Sequence, residues 1–212
     1  ARSNEKDGLA PTRTFSWHQA PAAAEWPPRS GHAVVAYHNR LWLFGGASDL
    51  HSGRYNDVWS STDSVNWTQI TGSAPWSPRT CRVVMFQNKM WLLGGGAAGS
   101  DANDVWSSAD GLQWMNITGG TRWTSRGYYA AAALPDRMFV LGGSVQASLN
   151  DVWLSVDGSN WSQAMVSAPW MSRIEPAVAV FQDHLWMLGG GHFDSWEDTP
   201  VLLNDVWSTS DG

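Results

Sequence analysis

The chain has 212 residues, of which 13 are basic and 19 acidic, giving a formal net charge of -6. An acidic balance disfavours nonspecific binding to nucleic acid or anionic lipid, because both require a basic surface. No apolar run approaches the roughly 18 residues of a membrane-spanning helix, so no direct membrane insertion is expected. The single cysteine, Cys81, excludes an internal disulfide framework and a cysteine-rich metal site.

The first residues of the chain differ from the rest. Residues 1–13 are polar and aperiodic, and they predict a flexible N-terminal segment. Residues 14–19 follow with the alternation of a half-buried strand. Beyond them, Pro27 and Pro28 indicate a loop. The repeat domain is therefore expected to span residues 14–212.

The sequence Asn-Asp-Val-Trp occurs four times, and its four copies end at Trp59, Trp106, Trp153 and Trp207. The spacings of 47, 47 and 54 residues indicate a repeat architecture. Each copy is preceded by an arginine, an apolar stretch and a second apolar stretch that ends in Gly-Gly. An aspartate-containing turn follows each copy. The repeats lie near residues 29–70, 79–117, 126–165 and 173–212.

Four strands, which we call a, b, c and d, are predicted in each repeat. In the first repeat they lie at residues 33–37, 41–44, 57–60 and 66–70. Strands a and b are apolar throughout, so strand a is expected to be buried on both faces and strand d to lie at the rim. No stretch longer than eight residues has a helical period, so the chain is predicted to be all-β.

Tryptophan is concentrated in the repeats. When the repeats are aligned, 15 of the 16 tryptophans fall at four positions of the repeat. Those of strands c and d are predicted to fill the space between neighbouring sheets, because each buries a large apolar area. The predicted structural set is Trp17, Trp59, Trp67, Trp106, Trp114, Trp153, Trp161 and Trp207. The Gly-Gly pairs permit positive φ where backbones crowd, and Asp-Gly is expected to form short hairpin turns between c and d.

This order of arginine, apolar strands, Gly-Gly, strand-c aromatic and strand-d tryptophan resembles the kelch repeat over residues 14–212. The resemblance implies a β-propeller of four four-stranded sheets. One departure is that the strand-c aromatic is always tryptophan here, where kelch repeats commonly have tyrosine. The turn Ser-x-Asp-Gly-x-x-Trp also resembles the Asp-box of sialidase-type propellers, although it is one residue short.

The segment at residues 14–19 looks like a strand d without its own a, b and c. We therefore expect it to pair beside residues 205–209, complete the fourth sheet and close a ring of four. The alternatives are a fragment of a larger ring and a tandem array.

The loop before each strand a contains a tryptophan and, three residues later, an arginine. The residues after the arginine differ between repeats and are expected to ring one mouth of a central channel. The kelch resemblance implies that the arginines there bind acidic peptides; the alternative is that each arginine holds a neighbouring loop through backbone carbonyls. The candidate ligand-binding residues are Arg29, His32, Trp76, Arg79, Arg82, Trp123, Arg126, Tyr128, Trp170, Arg173, Glu175, His192, Asp194 and Trp196.

Two classes of function fit these residues. The first is a non-catalytic recognition module, without a cofactor, for an acidic peptide, a protein partner or a glycan. The second is a kelch-type sialic acid mutarotase, with Glu175 transferring a proton beside Arg173, Arg82 and His32. A structural unit of a larger extracellular assembly is a further possibility. The glycosylation sequons at Asn66, Asn116 and Asn160 favour a secreted protein.

Overall fold

The computed structural model describes residues 18–20, 24–48, 53–97, 101–117, 119, 123–195 and 197–211. The regular structure of these residues consists of fifteen strands in four antiparallel sheets. This confirms the prediction of an all-β chain with a propeller-like succession of sheets. Among the described residues, no helix is long and apolar enough to cross a membrane.

Each repeat forms one sheet, with its strands in chain order. Sheet 1 contains β1 Ala33–Tyr37, β2 Arg40–Phe44, β3 Val58–Ser61 and β4 Thr68–Thr71. Sheet 2 contains β5 Arg82–Phe86, β6 Lys89–Gly96, β7 Asp101–Ser108 and β8 Met115–Asn116. Sheet 3 contains β9 Ala130–Leu134, β10 Arg137–Leu141, β11 Val152–Ser155 and β12 Ser162–Met165. Sheet 4 contains β13 Ala177–Phe181, β14 His184–His192 and β15 Val201–Thr209.

Strands a and b are joined by two-residue loops in all four sheets, and both loop residues are left-handed in sheets 1, 2 and 4. In sheet 1, Tyr37 pairs with Arg40 across His38 and Asn39, whose φ angles are 48° and 57°. Two successive left-handed residues form a type I′ turn, which matches the twist of the flanking strands. The register of each hairpin is fixed by this turn, so the apolar residues of a and b face the same side.

Strands c and d are joined by wider turns than the short hairpins that the sequence predicts. In sheet 3, β11 ends at Ser155 and β12 begins at Ser162. The Asp157 carboxylate accepts hydrogen bonds from the backbone N–H groups of Ser159 and Asn160, both at 2.8 Å. These bonds lower the pKa of Asp157, because they stabilise its ionised form. The aspartate therefore stabilises the turn by hydrogen bonds to its backbone.

The sheets pack in succession, with β1 beside β5, β5 beside β9 and β9 beside β13. A buried apolar cluster lies between each consecutive pair of sheets. Predicted structural tryptophans contribute to all three clusters: Trp106 and Trp114 to the first, Trp153 and Trp161 to the second, and Trp207 to the third. Trp59 is buried in sheet 1, and Trp67 stands edge-on to Trp26. Trp17 lies outside the described residues.

The described residues do not form a closed ring. Sheet 4 has three strands, and β1 does not pack on β13 as the other strands a pack on each other. The predicted closing strand falls mostly outside the described residues. Its described part, His18 and Gln19, is exposed and belongs to no strand.

The predicted burial of strand a on both faces is wrong for the two outer sheets. Strand β1 has alternating burial, and four of the five residues of β13 are exposed. In contrast, β9 has three buried residues and two half-buried ones. Among the described residues each outer sheet packs against one neighbouring sheet, so one face of its strand a is accessible there.

We predict that Gly111→Ala destabilises the fold. Gly111 has a φ of 76°, and an added Cβ would lie 2.2 Å from the ring of Trp42 on the preceding sheet. Left-handed strain and overpacking together should cost about 1–3 kcal/mol. Urea unfolding measures this, with Gly72→Ala as the control, because its Cβ would meet nothing closer than 3.5 Å. Equal stability of the two variants would contradict the packing described here.

Candidate functional site

The four repeated arginines form ion pairs with the aspartates of the four Asn-Asp-Val-Trp motifs. In sheet 1, Nη1 of Arg29 lies 2.6 Å from Oδ1 of Asp57, and Nη2 lies 2.9 Å from Oδ2. This two-point geometry matches the planar guanidinium to the planar carboxylate. The equivalent pairs are Arg79–Asp104, Arg126–Asp151 and Arg173–Asp205, of which the last two repeat the two-point contact.

Each ion pair also forms hydrogen bonds with neighbouring strands. Nη1 of Arg29 donates to the carbonyl of Gly45 at 2.8 Å, and the indole N–H of Trp59 donates to Asp57 at 2.7 Å. The arginine therefore joins the start of strand a, the end of strand b and the beginning of strand c. The motif asparagine continues this network, because Asn56 donates to the backbone carbonyl of Trp76 in the next loop at 2.9 Å.

These contacts place the predicted arginines inside the protein. The exposed fraction of their side chains is 0, 3, 2 and 0% for Arg29, Arg79, Arg126 and Arg173. Their guanidinium groups are occupied by carboxylates and glycine carbonyls, which is the geometry of the scaffold interpretation. The candidate ligand-binding residues Trp76, Trp123 and Trp170 are also buried, so their ring faces are not accessible to a ligand.

We predict that Asp57→Ala strongly destabilises the chain. The substitution leaves the charge of Arg29 buried without its counter-charge, which should cost about 3–5 kcal/mol. Chemical denaturation gives the value. The control is Asp136→Ala, which removes an exposed ion pair with Arg137 and should change stability little, because solvent screens that pair. A small effect at Asp57 would show that the buried pair is not needed.

A cavity of about 250 Å³ opens where the strands a begin. Its lining includes the residue two positions after the arginine in every repeat, namely Gly31, Cys81, Tyr128 and Glu175. The backbone connects these residues in pairs, because Cys81 N donates to Gly31 O at 3.4 Å and Glu175 N donates to Tyr128 O at 2.7 Å. The four divergent loops thus converge on one cavity.

The backbone is strained at two of these positions. Tyr128 and Glu175 have φ angles of 58° and 48°, a left-handed conformation that side chains with a Cβ rarely adopt. Both side chains are exposed. Strain of this kind is concentrated at binding and catalytic sites, where the surrounding structure maintains it.

The cavity contains both signs of charge. Arg54 and Arg82 line it together with Asp101 and Glu175. Nη1 of Arg54 is buried and has no hydrogen-bond partner in the described structure. Burial raises the pKa of the Asp101 carboxyl, and the positive charge of Arg54 partly opposes that shift. The cavity therefore holds an unsatisfied cationic donor beside a carboxylate that is partly removed from water.

Arg82 is held in place by the backbone. Its Nε donates to the carbonyl of Tyr129 at 3.1 Å, and its Nη1 donates to the carbonyl of Cys81 at 3.3 Å. The hydroxyl of Tyr129 in turn donates to the carbonyl of Leu93. Burial raises the pKa of the Cys81 thiol to about 11, so this cysteine is a neutral structural group rather than a nucleophile.

The other predicted site residues lie away from this cavity. His32 is half-buried beside Trp26, and burial together with the charge of Arg29 lowers its pKa. His192 contacts Ser172 through Nδ1, and its Nε2 lies 3.4 Å from the exposed Asp194. Trp196 is outside the described residues. The described part of the chain contains no group of three or more side chains suited to hold a metal ion.

The sequence analysis did not identify the aspartate partners of the arginines, nor Arg54 and Asp101. The aspartates were available as a signal, because they recur as strictly as the arginines and carry the opposite charge. Arg54 and Asp101 both line the cavity. Arg54 lies in the b–c connection of sheet 1 and Asp101 directly follows that of sheet 2, and those connections share no repeated pattern that would indicate a role.

Comparison with models of known protein families gave no match, and a search of curated proteins gave none either.

Proposed function

We propose that this protein is a non-catalytic recognition module that binds an anionic or polar ligand in the cavity formed by the loops before strands a and after strands b. The ligand that fits best is an acidic segment of a partner protein, and an acidic glycan is the other candidate. One observation carries the proposal: the divergent residues of all four repeats meet in one cavity that also contains Arg54 and Arg82.

The charges support an anionic group as the part of the ligand that enters. Arg54 offers a buried N–H without a partner, and an unsatisfied buried donor gains a full hydrogen bond when an acceptor arrives. Arg82 adds a second positive charge held by two backbone carbonyls. Asp101 and Glu175 restrict the ligand to one that also presents donors, as a peptide backbone or a sugar does.

We also propose that the sheets belong to a kelch-type propeller whose fourth sheet is completed by the strand predicted at residues 14–19. The support is a constant spacing. The tryptophan of the following loop lies nine positions after each strand-d tryptophan, in the pairs Trp67–Trp76, Trp114–Trp123 and Trp161–Trp170. Trp17 and Trp26 have the same spacing.

The alternative function, a sialic acid mutarotase, was assigned four residues in the sequence, and two of these four line the cavity. Glu175 and Arg82 both line it, whereas Arg173 is paired with Asp205 and His32 lies beside Trp26. A proton-transferring carboxylate would therefore lack the Arg173 side chain as its partner for a sugar carboxylate. NMR of the protein with N-acetylneuraminate tests for this activity, and accelerated anomer exchange that Glu175→Gln abolishes would favour the enzyme.

An extracellular location is part of the proposal, because of the three sequons. The structure adds one constraint: the side-chain amides of Asn66 and Asn160 donate to the carboxylates of Asp63 and Asp157, at 2.7 and 2.8 Å. A glycan on either asparagine would leave that amide one fewer N–H to donate. Asn116 lies in strand β8, at the outer edge of sheet 2.

We predict that Arg82→Ala and Arg54→Ala weaken binding to acidic probes. The probes are an array of aspartate- and glutamate-rich peptides and an array of sialylated and uronate glycans. Loss of one charged hydrogen bond should weaken affinity by about tenfold or more. The control is Arg40→Ala, which removes an exposed arginine at the opposite end of strand b. If both cavity variants bind every probe as the unaltered protein does, the cavity is not the recognition site.

A further inference from the structure

The cavity that includes Arg54 and Arg82 also contains Asp101 and Glu175, so it has two charged side chains of each sign. The repeated arginines of the sheets are all paired with aspartates. In contrast, none of the four cavity charges forms an ion pair with another residue in the part of the chain that the structure describes. Unpaired charges in a concave site, where water is partly excluded, attract a ligand of matching charge strongly.

The positive charges lie on the side of the cavity that sheets 1 and 2 form. Arg54 belongs to the b–c connection of sheet 1, and Arg82 is the first residue of β5. The loops of these two sheets are joined where the N–H of Cys81 donates to the carbonyl of Gly31. This side suits a carboxylate, because guanidinium groups form charge-assisted hydrogen bonds with carboxylate oxygens.

Asp101 lies where sheet 2 meets sheet 3. Its Oδ1 lies 3.4 Å from the position that a Cβ on Gly96 would take, and Nη1 of Arg54 lies 3.3 Å from the same position. Both carboxylate oxygens of Asp101 lie 3.4 Å from the equivalent position at Gly127, just before β9. Because neither glycine carries a side chain, the carboxylate lies against both sheets. The negative charge therefore extends from Arg54 towards sheet 3.

The other side of the cavity, formed by sheets 3 and 4, combines a carboxylate with an aromatic ring. The N–H of Glu175 donates to the carbonyl of Tyr128 at 2.7 Å, which holds the two residues next to each other. Both side chains are exposed, that of Tyr128 to 49%. Neither sheet contributes a lysine or an arginine to the described lining of the cavity. This side suits a cation, which a carboxylate attracts by its charge and an aromatic face by its quadrupole.

We infer that the ligand is a peptide segment with an acidic and a basic side chain, the acidic one beside Arg54 and Arg82 and the basic one beside Tyr128 and Glu175. This rests on the proposed binding of a partner protein in the cavity, and it specifies the kind of segment that binds. The cavity volume of about 250 Å³ is below the range of about 300–1,000 Å³ typical of pockets for whole small molecules. It therefore suits the ends of two side chains. Residues two positions apart in an extended peptide face the same side, so both can enter together.

The same charges discriminate against segments that are only acidic. A second carboxylate that approaches the side formed by Tyr128 and Glu175 meets a like charge, which lowers its affinity. A basic side chain at this place is attracted by the Glu175 carboxylate and by the ring. Glu175 is therefore a specificity-determining residue: it separates mixed-charge peptides from acidic ones, whereas Arg54 and Arg82 bind both.

Fluorescence anisotropy with two labelled peptides tests the inference. One peptide has aspartate and lysine two positions apart in a glycine–serine background, and the other has glutamine in place of the lysine. The unaltered protein should bind the lysine peptide about tenfold more tightly at low ionic strength. Glu175→Gln should weaken the lysine peptide and strengthen the glutamine peptide, because it removes both an attraction for the lysine and a repulsion of the aspartate. A purely structural effect of the substitution would move both affinities in the same direction.

Two further substitutions serve as controls. Asp183→Asn removes one exposed negative charge from the same sheet, in the a–b turn at the opposite end of β13 from Glu175. It should leave both affinities unchanged. Tyr128→Leu should weaken the lysine peptide by about two- to fivefold through loss of the ring, whereas Tyr128→Phe should not.

Equal affinities of the unaltered protein for the two peptides, or a Glu175→Gln effect of the same sign on both, overturn the inference. The proposed function survives that result if Arg54→Ala and Arg82→Ala weaken both peptides, as expected of a cavity that binds acidic groups alone. Binding of sialylated glycans and of neither peptide also overturns the inference, because the ligand is then not a peptide. If no acidic probe binds, the proposed function and this inference both fail.

Discussion

Each sheet contains one arginine whose guanidinium is buried and paired with the motif aspartate, and the rest of the fold is arranged around that contact. The pair connects three strands, because the same Arg29 also binds the carbonyl of Gly45, and Asp57 also accepts the indole N–H of Trp59. A buried ion pair gains little net stability over apolar groups of the same size, since desolvation offsets the attraction. Its contribution here is conformational specificity, because the pair fixes where strands a, b and c meet.

The proposed ligand cavity is consequently separate from the repeated residues. Because the arginines are occupied inside the sheets, the variable residues two positions later are left to face the cavity, and they differ in size, charge and polarity between repeats. The backbone strain at Tyr128 and Glu175 lies at these same positions. The repeated part of each unit holds the sheet together, and the variable part gives the cavity its chemistry. This division lets a single scaffold present an asymmetric site.

The repeat pattern was sufficient to predict the strands and their order, because hydrophobic periodicity and Gly-Gly report local structure directly. The role of Arg29 and its equivalents was harder to assign, since a fixed arginine suits both a scaffold and a binding site. Its partner Asp57 lies 28 residues away in sequence, so no local pattern joins the two. Arg54 and Asp101 could not be found, because the b–c connections share no repeated pattern. The width of the c–d turns depends on the carboxylate bonds of Asp63, Asp110 and Asp157, which residue type alone does not reveal.

The central claim is that the buried arginine and aspartate act as one unit in each sheet. A double-mutant cycle on Arg126 and Asp151 measures this most directly, using Arg126→Met, Asp151→Ala and the double variant in chemical denaturation. We predict a coupling free energy of about 2 kcal/mol or more, because each single change leaves the other group buried without a partner. Additive effects, with a coupling below about 0.5 kcal/mol, would contradict the claim.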